Sequence, residues 1–242
     1  MRVTADVVVV RDDDWGAGPD PFTALMDDDN IAGVRVVRVI MFTFNASLGQ
    51  ERLGGDLSIA VAPNDSLTVY LAWADRRIAD YTLHIQRSID RGATWSSDLL
   101  TVPNAKNPAL AINSESEVGL LYQRVIGIGF NQRWETHLRR TLDGRTCNDL
   151  LLATTPATTP KPQFLPYLGD YDYLMAVERT FYGIFSTNNR PDPANFPNGV
   201  SYQRSANFVS RTLLARDGVT PRTCLDRPFL LQGGITLKNE LC

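Results

Sequence analysis

Residues 83–95 read LHIQRSIDRGATW. Leu83 to Ser88 alternates apolar and polar side chains, the period of a half-buried strand. Residues 88–95, SIDRGATW, have a different character. Ser88 and Asp90 carry short oxygens that can accept backbone N–H groups inside a turn. Gly92 can take the positive φ that other residues resist. Thr94 adds a hydroxyl or a β-branched start to the next strand, and Trp95 can lay a large ring under the turn. Together they predict a hairpin in which these residues are scaffold, in preference to a catalytic or ligand loop.

The chain repeats this arrangement. Leu83–Ser88, Thr136–Thr141 and Val200–Ser205 all end in Arg followed by Ser or Thr, at Arg87, Arg140 and Arg204, with spacings of 53 and 64 residues. Each is preceded by two further strand-like stretches. These are Gly55–Val61 and Leu67–Ala74, then Asn107–Ile112 and Glu117–Arg124, then Gly169–Val177 and Thr180–Ser186. Each is followed by a fourth, at Leu99–Val102, Leu150–Ala153 and Phe208–Leu214. No long stretch of 3.6-residue apolar spacing carries caps at both ends. Four short antiparallel strands recurring at this interval are the pattern of a propeller blade. One such sheet cannot bury both its faces, and stacking neighbours around an axis covers them.

The expected fold is therefore all-β, a β-propeller of four-stranded antiparallel blades. Residues 53–103, 104–160 and 161–215 form three blades. Residues 1–52 supply a partial or first blade through Val7–Arg11 and Val34–Phe44, and 216–242 a closing strand, Phe229–Gln232, and a tail. Thr154–Pro162 reads as a Thr/Pro-rich connector and Arg190–Pro193 as a loop.

The pattern Ser88-x-Asp90-x-Gly92-x-Thr94-Trp95 resembles the Asp-box, or BNR repeat, of sialidase-like β-propellers. That resemblance places the five residues on the outer hairpin between the third and fourth strands, away from the active centre. A worn copy runs from Thr141 through Asp143, Gly144 and Thr146, with Cys147 where the Trp would stand, and Ser205-Ala206-Asn207 is a remnant. The resemblance implies an exo-α-sialidase type of glycoside hydrolase, truncated or diverged. The alternative is a non-catalytic propeller that binds glycans or protein partners through its axial face. Members of that family grip the substrate carboxylate with three arginines and use a Tyr–Glu pair as nucleophile and an Asp as acid/base, an exception to the two-carboxylate scheme. The first arginine lies in an Arg-Ile-Pro motif that this chain lacks; Arg77-Ile78-Ala79 is the nearest string.

Catalytic candidates come instead from the expected ends of inner strands: Asp56, Arg76, Arg124, Asp170, Tyr171 and Glu178. Tyr122, Asp75, Asn188 and Arg204 are the binding candidates. Asp56 and Asp170 are expected at one end of the inner strands, and Asp75, Arg76, Arg124 and Asn188 at the far end. A competing account has the Gly-Asp pairs at 55–56 and 169–170 simply begin strands after turns.

Composition narrows the classes. The chain has 242 residues, 43% hydrophobic and 21% charged, enough for a sizeable core. A net charge of −3 with its 24 Lys and Arg spread along the chain excludes a nucleic-acid stripe. No apolar run could span a bilayer. The N-terminal stretch lacks a secretory leader, so a soluble chain is expected, acting inside the cell or exported by a signal outside this sequence. Cys147, Cys224 and Cys242 have no metal-ligand spacing, and one disulfide among them is open. No cofactor is expected, with Ca²⁺ at Asp12–Asp14 or Asp27–Asn30 as the alternative to solvated loops. Glycans or glycoconjugates are the expected partners, and an incomplete ring would favour self-association through its uncovered face.

Overall fold

The computed structural model describes residues 2–43, 57–76, 81–143, 146–156, 172–187, 201–207, 212–213 and 221–223. These build an all-β structure of four antiparallel sheets. The first is a hairpin of β1 (Arg2–Val9) and β2 (Val34–Thr43). The second runs β3 (Leu57–Ala62), β4 (Asp65–Asp75), β5 (Thr82–Ser88) and β6 (Leu100–Pro103) in that order. The third runs β7 (Ala105–Ile112), β8 (Val118–Ile126), β9 (Arg133–Thr141) and β10 (Asn148–Pro156). The fourth runs β11 (Tyr173–Val177), β12 (Thr180–Ser186), β13 (Ser201–Asn207) and β14 (Thr212–Leu213). A single 3-10 turn, Gly129–Asn131, is the one helical element among the described residues.

Apolar side chains on both faces stack the sheets in chain order. Leu71 and Trp73 of the second sheet meet Val7, Val9 and Ile40 of the first. On its other face, Tyr70, Ala72 and Leu83 meet Leu110, Leu120 and Tyr122 of the third. The reverse face of the third sheet presents Leu121, Leu138 and Leu150 to Leu174, Phe181 and Phe185 of the fourth. This explains why β7 is buried at every position. It also explains why β4 and β8 read as nearly continuous apolar runs instead of strict alternations. Each fully buried Leu or Phe contributes about 1.5–3 kcal/mol. Gly119 permits a close approach between the third and fourth sheets: a Cβ there would lie 2.5 Å from Cε1 of Phe181. The leading strands β3 and β11 both lie beside β7. The other face of the fourth sheet leaves Tyr173, Met175 and Tyr182 exposed.

The structure corrects four details of the sequence reading. A short strand, β15 (Pro221–Thr223), pairs with β10 and makes the third sheet five-stranded. Thr154–Pro156 belong to β10, paired with Arg133–Glu135, and are not connector. Ser205–Asn207 continue β13 and pair with Thr180–Tyr182, so they form no turn. Finally, the start of an inner strand and the end of the next strand lie at the same end of a sheet, because the two are antiparallel. Leu57 faces Trp73 and Ala105 faces Arg124. Phe229–Gln232, residues 157–162 of the expected connector and Arg190–Pro193 lie outside the described residues.

Candidate functional site

The hairpin between β5 and β6 is held by its own polar groups. Ser88 Oγ donates to Asp90 Oδ1 (2.7 Å) and accepts the N–H of Gly92 (2.8 Å). Asp90 accepts the Thr94 N–H (2.8 Å) and the Thr94 hydroxyl (2.6 Å). Trp95 Nε1 donates to the Gly92 carbonyl at 3.0 Å. Its ring packs on the core between the first two sheets. Arg91 and Gly92 turn the chain at φ of 62° and 89°. The bonds from Thr94, then from Ser88, hold the Asp90 carboxyl at about 2, well below its ordinary value. All five residues serve the turn itself.

The hairpin between β9 and β10 repeats the circuit. Thr141 Oγ1 donates to Asp143 Oδ1 (2.9 Å), and Asp143 accepts the Thr146 N–H (2.8 Å) and hydroxyl (3.0 Å). Cys147, in the place of Trp95, is buried and disulfide-bonded.

The opposite end of the third sheet carries a cleft of 420 Å³. Nine residues of β9 separate it from the Thr141 turn, roughly 26 Å along the strand. Tyr81, Asn104, Lys106, Gln132 and Trp134 line it, together with the β8–β9 hairpin at Gly127–Gly129. A β-bulge shapes its floor. Between Lys106 and Ala109 the register of β7 against β8 slips, and Asn107 takes φ of 53° ahead of Pro108, which has no N–H to give. The Asn107 amide donates to Gln123 Oε1 at 2.9 Å and fixes the bulge. Lys106, only 4% exposed, lies with its ammonium 5.1 Å from the centre of the Trp134 ring, a cation–π arrangement. The Arg76 guanidinium stands 5.4 Å from the centre of the ring of Tyr81, a residue of the cleft lining.

Three of the expected site residues gather at this end. Asp75 ends β4 and Arg76 follows it, and Arg124 lies near the end of β8, immediately before the cleft residues Val125 and Ile126. Arg124 is half-buried, and its Nε is buried with no hydrogen-bond partner among the described residues. Asp75 is buried, with Oδ2 3.8 Å from His84 Nε2. Tyr122 is fully buried and donates to Asp149 at 3.2 Å; burial, then the Asp149 charge, pushes its phenol far up. It presents no surface to a ligand. Glu178 lies at the other end, in the β11–β12 turn at φ of 53°, where its carbonyl accepts the Ser114 N–H at 2.7 Å. Neighbouring Arg179 pairs with Glu115 there. Arg204 sits opposite Gly183 in β13. Asp56, Asp170, Tyr171, Asn188 and Arg77–Ala79 lie outside the described residues.

The sequence reading missed a repeated histidine network. Tyr122 stacks on His137 with centroids 5.1 Å apart and planes 12° apart, and Trp73 stacks on His84 with the same values. His137 Nδ1 is 3.0 Å from Asp149 Oδ1, and its Nε2 is 3.2 Å from Glu135 Oε2. Asp149 also accepts from Arg139 at 2.8 Å. His84 Nδ1 is 2.8 Å from Asp98 Oδ2, to which Gln86 also donates through the other oxygen at 3.0 Å. Burial opposes the charged form of His137, but the bonds to Asp149 and Glu135 outweigh it and raise its pKa. Burial likewise works against the Asp149 carboxylate, and His137 and Arg139 more than reverse this, holding it at about 2. The legible signal was the placing of His84 and His137 three residues before Arg87 and Arg140.

The acidic runs are engaged by arginines. Arg35 pairs with Asp27 (2.5 Å) and Asp29 (3.0 Å), and Asp13 with Arg11 (2.9 Å) and Arg91 (3.0 Å). Among the described residues no cluster of three His, Cys, Asp or Glu could hold a metal ion, and no helix is long and apolar enough to cross a membrane. Comparison with protein-family models, with curated proteins and with solved structures gave no match.

Proposed function

We propose that the chain is an Asp-box β-propeller module that binds acidic glycans, without hydrolysing them, through the cleft between Tyr81 and Trp134. The observation that carries this reading is the set of side chains converging there. Lys106, held against the buried Trp134 ring, supplies positive charge, Tyr81 supplies aromatic surface and carries Arg76 on its ring, and Asn104 and Gln132 supply amides. Sugars present alternating apolar faces and hydroxyls, and a site of aromatics with a few placed polar groups suits them. Cationic side chains suit a carboxylate-bearing sugar. The propeller part of the reading is supported by the face-to-face stacking and by the adjacency of β3, β7 and β11, which would surround an axis. The Asp-box part is supported by the two turn circuits at the end remote from the cleft.

Hydrolysis of a terminal sialoside is the second reading. Arg124 favours it, since its Nε has no partner among the described residues and it shares an end with Arg76. Against it, Glu178 stands at the opposite end.

Calorimetric titration of the purified chain with sialyllactose and with lactose tests the first reading. Binding of sialyllactose alone, weakened at least tenfold by Lys106→Met, is the expected result. Equal affinity for both sugars, or none for either, overturns it. Turnover of a fluorogenic sialoside, lost in Arg124→Ala, would establish the second reading in its place.

A further inference from the structure

The tip of the β8–β9 hairpin carries two large apolar side chains that the core does not use. Ile128 is 90% exposed and Phe130 wholly so. The turn that presents them is built for one shape. Gly127 and Gly129 take φ of 79° and 59°, and a Cβ on Gly127 would collide with the Asn131 carbonyl oxygen. The Asn131 N–H donates to the Ile128 carbonyl at 3.2 Å, and the Gln132 N–H to the Gly129 carbonyl at 3.1 Å. Ile128 and Gly129 also line the 420 Å³ cleft, so tip and cleft share one rim.

Area and charge together select what covers this tip. A specific protein interface takes roughly 800 Å² from each partner. One turn with an Ile and a Phe offers about half of that at most, since even an aromatic side chain buries only about 150–250 Å². A bilayer asks for no matching surface, and its hold grows with the apolar area taken up and with attraction between basic residues and anionic headgroups. From Arg124 to Trp134 the chain holds two arginines and no carboxylate. The Arg133 side chain is 41% exposed, and the next acidic residue, Glu135, is buried. Trp15 provides the contrast. It too is wholly exposed, but it follows Asp12–Asp14, and Asp13 pairs with Arg91 of the Ser88–Trp95 turn.

We propose that Ile128 and Phe130 insert into the interfacial layer of a lipid bilayer while the cleft beside them holds the headgroup of a sialylated glycolipid; the glycolipid half rests on the reading of the cleft as an acidic-glycan site. Both contacts act on one surface, so each raises the effective concentration for the other.

Vesicle flotation and calorimetry on the full chain test this. The vesicles are phosphatidylcholine alone, with sialyllactosylceramide, or with phosphatidylserine. Glycolipid vesicles should bind about tenfold more tightly than free sialyllactose, or better. Phe130→Ser should lower vesicle affinity about tenfold and leave the calorimetric affinity for free sialyllactose unchanged, and Trp15→Ser should change neither. Brominated phosphatidylcholine in the glycolipid vesicles should quench the emission of the Phe130→Trp variant more than that of wild type. Phe130 is wholly exposed, so these substitutions leave the core intact. Equal vesicle affinity in wild type and Phe130→Ser, or no added quenching in Phe130→Trp, overturns insertion and leaves the cleft reading standing. Binding to phosphatidylserine vesicles as tight as to glycolipid vesicles, with no titration by free sialyllactose, overturns the glycolipid assignment and the cleft reading together.

Discussion

Replacing Asp149 by Asn should destabilise the fold by about 3 kcal/mol at pH 7. The substitution keeps the shape and removes the charge. Asp149 accepts from Arg139 at 2.8 Å, from His137 at 3.0 Å and from Tyr122 at 3.2 Å, and it is buried. Two routes give the magnitude. Removing one partner from a buried ionic network typically costs about 3–5 kcal/mol, because the remaining charges stay buried and unpaired. Separately, a carboxyl held at about 2 in the fold, against about 3.9 in an unfolded chain, corresponds to about 2.6 kcal/mol. These describe the same interactions and are not summed. The sign follows from the depressed pKa. The stability is present above pH 4 and is lost as pH falls towards 2, where the wild-type carboxyl also protonates. Urea unfolding of wild type and Asp149→Asn between pH 7 and pH 3 measures it. The difference should be largest at neutral pH and shrink on acidification. A difference below about 0.5 kcal/mol at pH 7, or one independent of pH, would refute the claim that this network ties β8, β9 and β10 of the third sheet together.

Trp95→Ala should destabilise by about 2 kcal/mol, less than for a fully buried Trp because the ring is half-exposed; in urea unfolding, a change under about 0.5 kcal/mol would remove its supporting role. Gly119→Ala should destabilise by about 2 kcal/mol through overpacking, since the new methyl meets the buried Phe181 ring; an unchanged midpoint would show that the two sheets yield there. NMR titration should find the His137 and His84 pKa values above that of a free histidine, as their carboxylate partners require. Because a raised folded value stabilises fully below the unfolded pKa and fades as pH rises through the folded one, stability should decline slightly above neutrality. An imidazole titrating below 6 would contradict the network.

The strands were legible because each sheet repeats one pattern. Thr180–Ser186 emerged with the expected limits, and the Ser88–Trp95 turn folds by the hydrogen bonds its residue types dictate. The cleft was not legible. Asn107 read as the start of an ordinary inner strand and Lys106 had no assigned role, and the bulge that fixes them depends on Gln123, sixteen residues away from Asn107. Trp134 precedes the expected start of its strand, so it had no assigned role. The end-for-end placing of Arg124 failed on pairing direction, which no single strand encodes. Asp98 and Asp149 were missed because neither lies on the strand of its histidine, Asp98 preceding β6 and Asp149 lying on β10, and only the folded sheet brings them together.

Hydrogen exchange of the full chain with and without sialyllactose tests the central claim most directly, since it locates ligand without presuming catalysis. Protection confined to residues 103–106 and 125–134, with 88–95 and 141–147 unchanged, is the predicted footprint. Protection at the Ser88–Trp95 turn, with none around Lys106 and Trp134, would contradict the assignment of one end to scaffold and the other to ligand.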